Sequence, residues 1–238
     1  MPAARRPLRF ATWTLGALLL LLAWDALGLD LPLARLAGNR DGFPLRETWW
    51  MSAVLHEGAR RVSWVLMAAL ILAVWWPVGF LRQLTRGERA GIVAGTVLAL
   101  LSISLLKSIS RTSCPWDLAE FGGVAPYISH WNFGVADGGG GRCFPAGHAS
   151  AGFAFVAGYF WLQDKAPRAA RGWLLLVVLA GLGLGITQQL RGAHYLSHTL
   201  WTAWVCWTTA GLAWAASLEL AARKSRRAGV PTDADAPA

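Results

Sequence analysis

Apolar residues run through this chain in long blocks, separated by short basic or Gly/Pro-rich stretches. A helix needs about 20 mostly apolar residues to cross a bilayer. Residues 10–29 (broken only by Asp25), 62–81, 173–190 and 200–220 approach or meet that length. Residues 90–106 are slightly short but uncharged, and 149–162 also fit a core or re-entrant helix. The pattern predicts an all-α fold, an integral membrane six-helix bundle. It forms a single domain over residues 1–222, with a basic and then disordered tail at 223–238. The basic residues Arg5, Arg6 and Arg9 precede the first apolar block, as in a signal peptide. That block is long for one and lacks a small-x-small cleavage site, so it reads as a retained helix.

Composition agrees. Only 15% of residues are charged and 55% are hydrophobic, whereas a soluble domain carries about 25% charged residues. The net charge of +9 does not point to nucleic acid, because its distribution follows the positive-inside rule. With the N-terminus in the cytoplasm, alternation puts Arg5, Arg6, Arg9, Arg82, Arg86, Arg89, Lys165, Arg168, Arg171, Arg223, Lys224, Arg226 and Arg227 inside. These are 13 of the 22 basic residues. Both termini are then cytoplasmic. Trp49, Trp50, Trp75, Trp76, Trp161, Trp173 and Trp201 lie near block ends and read as interfacial anchors.

The outer loops hold the polar chemistry. Residues 30–61 form a loop long enough for a short amphipathic helix on the membrane surface. Residues 107–148 form a Gly- and Pro-rich loop, and 191–199 a short turn. Between them they carry Lys107, Arg111, Asp117, Glu120, His130, Asp137, Arg142, His148, Arg191, His194 and His198. Ionisable groups at a membrane boundary are costly unless they line a site.

Lys107 and Arg111 are four residues apart, on one helix face. Two cations aimed together suit a phosphate, and equally suit two snorkelling side chains. In Cys143-Phe-Pro-Ala-Gly147-His148-Ala-Ser150, a turn places N–H groups and an imidazole at a helix start, an end that attracts anions. It also reads as a capping turn with an incidental His. The third segment, Arg191-Gly-Ala-His194-Tyr-Leu-Ser-His198, brings one Arg and two His into one turn.

Together the three segments resemble the type-2 phosphatidic acid phosphatase family, which shares its fold with vanadium haloperoxidases. Its signature is Lys-x6-Arg-Pro, then Pro-Ser-Gly-His, then Ser-Arg-x5-His-x3-Asp. The resemblance covers about residues 90–220 and is carried by Lys107, Pro115, Pro145, Gly147, His148, Ser150 and His194. There are departures. Cys114 stands for the first Arg, Ala146 for Ser, Thr187 and Gln188 for Ser-Arg, and His198 for the final Asp. Arg111 and Arg191 are expected to replace the missing arginines in a relocated phosphate clamp.

The resemblance implies metal-independent phosphoryl transfer with no cofactor. His194 would attack phosphorus to form a phosphohistidine, and His148 would protonate the leaving oxygen. Lys107, Arg111, Arg191, Gly147 and Ser150 would bind phosphate. His198, Asp117 or Glu120 would orient His194, a choice the residues leave open. So does a register with His198 as nucleophile. Cys114 and Cys143, both on the outer side, are a disulfide candidate, and Cys206 is a core thiol. The expected activity is hydrolysis of a lipid phosphomonoester or diphosphate at the periplasmic face of the bacterial inner (plasma) membrane. The substrate could be a phospholipid, a polyprenyl diphosphate or lipid A. A lipid-to-lipid phosphotransferase, a transporter, or a metal protein using His148, His194 and His198 are the alternatives. Few ionisable residues lie within the apolar blocks, which disfavours transport.

Overall fold

The computed structural model describes residues 5–227. The order is α1 (Arg5–Ala26), α2 (Asp30–Ala34), a π-helical stretch Trp50–Gly58 leading into α3 (Ala59–Ala73), then α4 (Arg86–Ile109). After a long loop come α5 (Gly147–Phe153), a 3-10 turn Ala154–Val156, α6 (Ala157–Leu162), α7 (Pro167–Leu190) and α8 (Leu196–Arg227). The fold is all-α. Among the described residues the β content is two isolated bridges, Asn39 with Gly42 and Leu118 with Ala125.

Three helices are long and apolar enough to cross a membrane, over Pro7–Ala26, Arg86–Ile109 and Pro167–Leu190. The other three expected spans differ for local reasons. The block at 62–81 leaves the helix after Ala73, because Pro77 offers no N–H and Gly79 sits at φ +51. The block at 149–162 begins two residues earlier and is interrupted by its 3-10 turn. The last block lies within a 32-residue helix whose apolar character is diluted by Thr202, Thr208 and Thr209 and by the basic end. That basic end, Arg223 to Arg227, belongs to α8, while the rest of the expected tail lies outside the described residues. The surface loop at 30–61 holds α2, with Asp30 and Ala34 buried, rather than a helix with one face left open.

Local sequence explains the helix ends. Thr85 and Glu88 form a capping box at the start of α4 (Thr85 N–H to Glu88 Oε2, 2.7 Å). Pro167 occupies the first turn of α7. At the other end of α7, Gly192 at φ +75 lets its N–H reach Gln189 O (2.9 Å) and the Ala193 N–H reach Gln188 O (2.8 Å). This is a Schellman cap, and it reverses the chain just before His194.

The core is built from Ile92, Ala99 and Ile103 of α4, Phe153, Ala157 and Phe160 around α5 and α6, and Cys206, Ala210 and Trp214 of α8. α5 and α7 meet backbone to backbone. A Cβ on Gly152 would lie 2.5 Å from Gly181 N. Such close approach is typical of helices packed in a membrane. Outward faces stay apolar: Leu19 and Leu20 of α1, Leu101 and Leu105 of α4, and Leu175, Leu176 and Leu179 of α7 are all exposed. A surface so apolar fits a membrane rather than water.

Candidate active site

Four helix termini converge at one end of the bundle: the ends of α1, α4 and α7 and the start of α8, with the turn before α5 among them. Main-chain hydrogen bonds stitch their loops together. Arg142 N–H donates to Ser110 O (3.0 Å), Cys143 N–H to Thr112 O (2.9 Å), Trp116 N–H to Gly192 O (2.9 Å) and Ala146 N–H to His198 O (3.2 Å). Cys114 and Cys143 are joined by a disulfide, with Cα atoms 5.1 Å apart. The Asp137 carboxylate braces the same loop by accepting from Ser113 N–H (2.8 Å) and Ser113 Oγ (2.5 Å). A second small core of Ala34, Phe43, Leu118, Phe121, Ala125 and Tyr195 lies beneath these loops.

This stitching brings His194, His198, His148 and Lys107 together. His194 is 4% exposed and His198 fully buried. The two rings meet edge-on with centroids 5.9 Å apart. His194 Nδ1 lies 3.5 Å from Cys143 Sγ. Burial holds the His194 pKa well below the usual imidazole value. The charges of Lys107 and His148 push it the same way, against a smaller opposing effect of the Cys143 backbone. Lys107 Nζ donates to Arg142 O (2.6 Å), and its aliphatic stem runs beside Gly147. Lys107, Gly147 and His148 are half-buried and form the approach to His194. The Ser150 hydroxyl donates to Gly147 O (2.6 Å) and so braces this turn.

The other expected ligands stand elsewhere. Arg111 is exposed and donates to Gly134 O (3.2 Å). Arg191 is buried and donates to Arg46 O (2.9 Å) and Gln188 Oε1 (3.3 Å). Both guanidinium groups are directed at protein acceptors and keep further N–H donors beyond these bonds. Asp117 accepts from Cys114 N–H (3.2 Å), and Glu120 pairs with Arg35 (2.5 Å), so these carboxylates are engaged away from the imidazole. Gln188, at the signature's arginine position, is buried, and its Nε2 has no hydrogen-bond partner among the described residues.

Sequence reasoning passed over a second buried group beside the histidines. The Asp25 carboxylate accepts at Oδ2 from Trp131 Nε1 (3.0 Å) and Trp201 Nε1 (2.9 Å), and lies 3.3 Å from His130 Nε2. Asp30 accepts from Trp24 Nε1 (2.9 Å), from Ser197 N–H (3.1 Å) and from the Ser197 hydroxyl. The available signal was Asp25 itself, a lone acid at the end of an apolar block. Asp25, Asp30 and His130 lie close enough to hold a cation. The indole, hydroxyl and main-chain donors around the carboxylates make this an anion-solvating cage instead. Cys114, Cys143 and His194 are also close, but bonded sulfurs offer no thiolate to a metal.

A cavity of about 540 Å³ lies at the opposite end of the bundle, lined by Phe10, Tyr159, Phe160, Gln163 and Trp214 among others.

In comparison with known proteins, a family model described as the PAP2 superfamily matches residues 90–221. No curated protein and no solved structure matches the chain.

Proposed function

The chain belongs to the PAP2 superfamily, and from that premise we propose that it is a membrane lipid phosphatase acting through a phosphohistidine, without a metal in the reacting centre. The observation that carries this reading is the buried, neutral His194 held beside half-buried His148 and Lys107. A neutral imidazole has a free electron pair and can attack, which an imidazolium cannot do.

In the first step, the His194 ring nitrogen away from Cys143 bonds to phosphorus as the ester P–O bond breaks. His148 gives its proton to the leaving oxygen. In the second, water attacks the phosphohistidine, His148 takes a proton from that water, and the N–P bond breaks to release phosphate. Lys107 offsets charge on the equatorial oxygens. Arg111 and Arg191 join it by turning further N–H donors to phosphate oxygens, and the Gly147 turn closes the cradle.

The membrane setting follows from the same frame. The histidine end of the bundle opposes the end that carries Arg86, Lys165, Arg168, Arg171 and Arg223. The positive-inside rule puts that basic end in the cytoplasm. The site then faces outward, in the periplasm of a bacterial inner membrane, where a disulfide persists. Its substrate is a phospholipid, polyprenyl diphosphate or lipid A phosphate embedded in the same bilayer.

The test is phosphate release by purified protein from a panel of these lipids. Wild-type protein should release phosphate from at least one and be inhibited by orthovanadate, a mimic of the phosphoryl transition state. His194→Ala should lose more than about 10³-fold, beyond the cost of one lost oxyanion donor. Full activity in His194→Ala would remove the reading.

A further inference from the structure

The third signature ends with His198 where the family has an acid, so the nucleophile lacks the carboxylate four residues after it. A neutral imidazole carries no charge to stabilise a neighbouring ring that becomes positive. Yet His198 is fully buried, and no side chain among the described residues hydrogen-bonds its ring nitrogens, whose only polar neighbour is the Cys143 backbone. Leaving buried polar atoms unmatched costs free energy, so such atoms call for an explanation in function.

The surroundings of His198 supply one. On one side its ring meets His194 edge-on at 5.9 Å, and on the other it meets His130 edge-on at 5.6 Å. The His130 ring is clamped flat against Phe144, centroids 4.3 Å apart and planes within 3°. Its Nε2 lies 3.3 Å from Asp25 Oδ2, an ion-pair distance without hydrogen-bond alignment, and both side chains are 6% exposed. Phe144 also touches His198 edge-on, with centroids 5.2 Å apart. Asp25 is held by the Trp131 and Trp201 indoles, while its Oδ1 accepts no hydrogen bond among the described residues. Three imidazoles thus lie in a row between the reacting nitrogen and one buried carboxylate contributed by α1.

We infer that Asp25 is the carboxylate that serves His194, acting through His130 and His198 as positioning residues. The inference rests on the phosphatase reading. It assigns to α1, outside the family-matched region 90–221, a role in orienting the nucleophile and stabilising the positive charge that develops on it. The charged and titratable groups facing this row are Lys107 and His148 at the His194 end, Tyr195 against the His198 ring, and Asp30 and Tyr127 around Asp25. Asp30 is committed to Ser197 at the start of α8 and is the structural partner of the pair.

The experiment compares Asp25→Asn and His130→Gln with wild type and His194→Ala, on whichever lipid the wild type hydrolyses. Asn keeps the shape and an acceptor oxygen for the indoles but removes the charge. The expected result for Asp25→Asn is a drop in kcat of about ten- to a hundredfold. That is less than the roughly 10⁴-fold cost of disabling a directly bonded triad carboxylate. KM should stay within about twofold, since ground-state binding is untouched. The acid limb of the pH profile should move to lower pH, because removing the negative charge at the far end of the row makes His194 harder to protonate. His130→Gln should show the same split of kcat from KM, and it carries the test if Asp25→Asn does not fold. Unchanged kcat and acid limb in a folded variant would overturn the inference. So would a loss confined to KM or to thermal stability. A fully active His194→Ala would instead remove the phosphatase reading itself.

Discussion

His194 stays unprotonated near neutral pH for two reasons that act together, its burial and its place beside Lys107 and His148. Burial is the larger of the two, since a ring only 4% exposed keeps its proton poorly. The consequence for stability has a definite sign. The folded-state pKa lies below the unfolded value of about 6.5, so the unfolded chain binds more protons at mildly acidic pH. Stability conferred by neutral His194 is present above about pH 6.5 and falls as pH drops below it, by at most about 1.4 kcal/mol per pH unit for one group. His130, whose pKa burial also lowers against the pull of Asp25 and Asp30, acts in the same direction. Thermal melting in detergent at pH 7.5 and 5.0 should show a lower midpoint at the acid pH, with a smaller drop in His194→Asn. Greater stability at pH 5.0 would contradict the assignment of a neutral, buried His194.

The important elements are short ones. The turn before α5, which presents His148 in the first turn of that helix, is pinned to α8 through Ala146 N–H and His198 O, and to the loop after α4 through Cys143. The disulfide closes a sequence separation of 29 residues. A loop of that size stabilises by about 3–4 kcal/mol through the unfolded chain. Reduction, or paired Cys114→Ser and Cys143→Ser substitution, should therefore lower the melting midpoint and separate Lys107 from His148, with loss of phosphate release. Intact protein should yield one linked peptide pair that splits on reduction. Two free thiols in protein recovered from the outer face of the membrane would sink this expectation. Here the sequence was partly legible: two cysteines beside the two segments expected to bind phosphate were visible as a pair. The Schellman cap at Gly192 was not read, because nothing but its φ of +75 distinguishes that glycine from its neighbours.

At the scale of the molecule, one end of the bundle is basic and the other holds the imidazoles. Tags or single cysteines should place the two ends on opposite faces of the membrane. An impermeant thiol reagent applied to whole cells should label a cysteine introduced at exposed Gly138 and spare one introduced at exposed Arg168. The reverse labelling would invert the topology, and with it the source of substrate.

The sequence by itself determined the helical class, the apolar faces and the three segments that carry Lys107, His148 and His194. Those features are local: they depend on periodicity, block length and short motifs. It also showed that His198 stands where an acid is usual, but not what compensates. Only the tertiary structure brings the His130 ring onto His198 and Asp25 onto His130, because Asp25 and His130 are separated from His198 along the chain by 173 and 68 residues and are assembled through the packing of α1 and the loop after α4 on α8. The same packing turned Arg111 and Arg191 onto carbonyls in the loops and gave Asp117 and Glu120 other partners. A charge in a sequence states what a side chain could bind, whereas the fold fixes which partner lies within 3 Å of it, and at a buried site that proximity governs the energy.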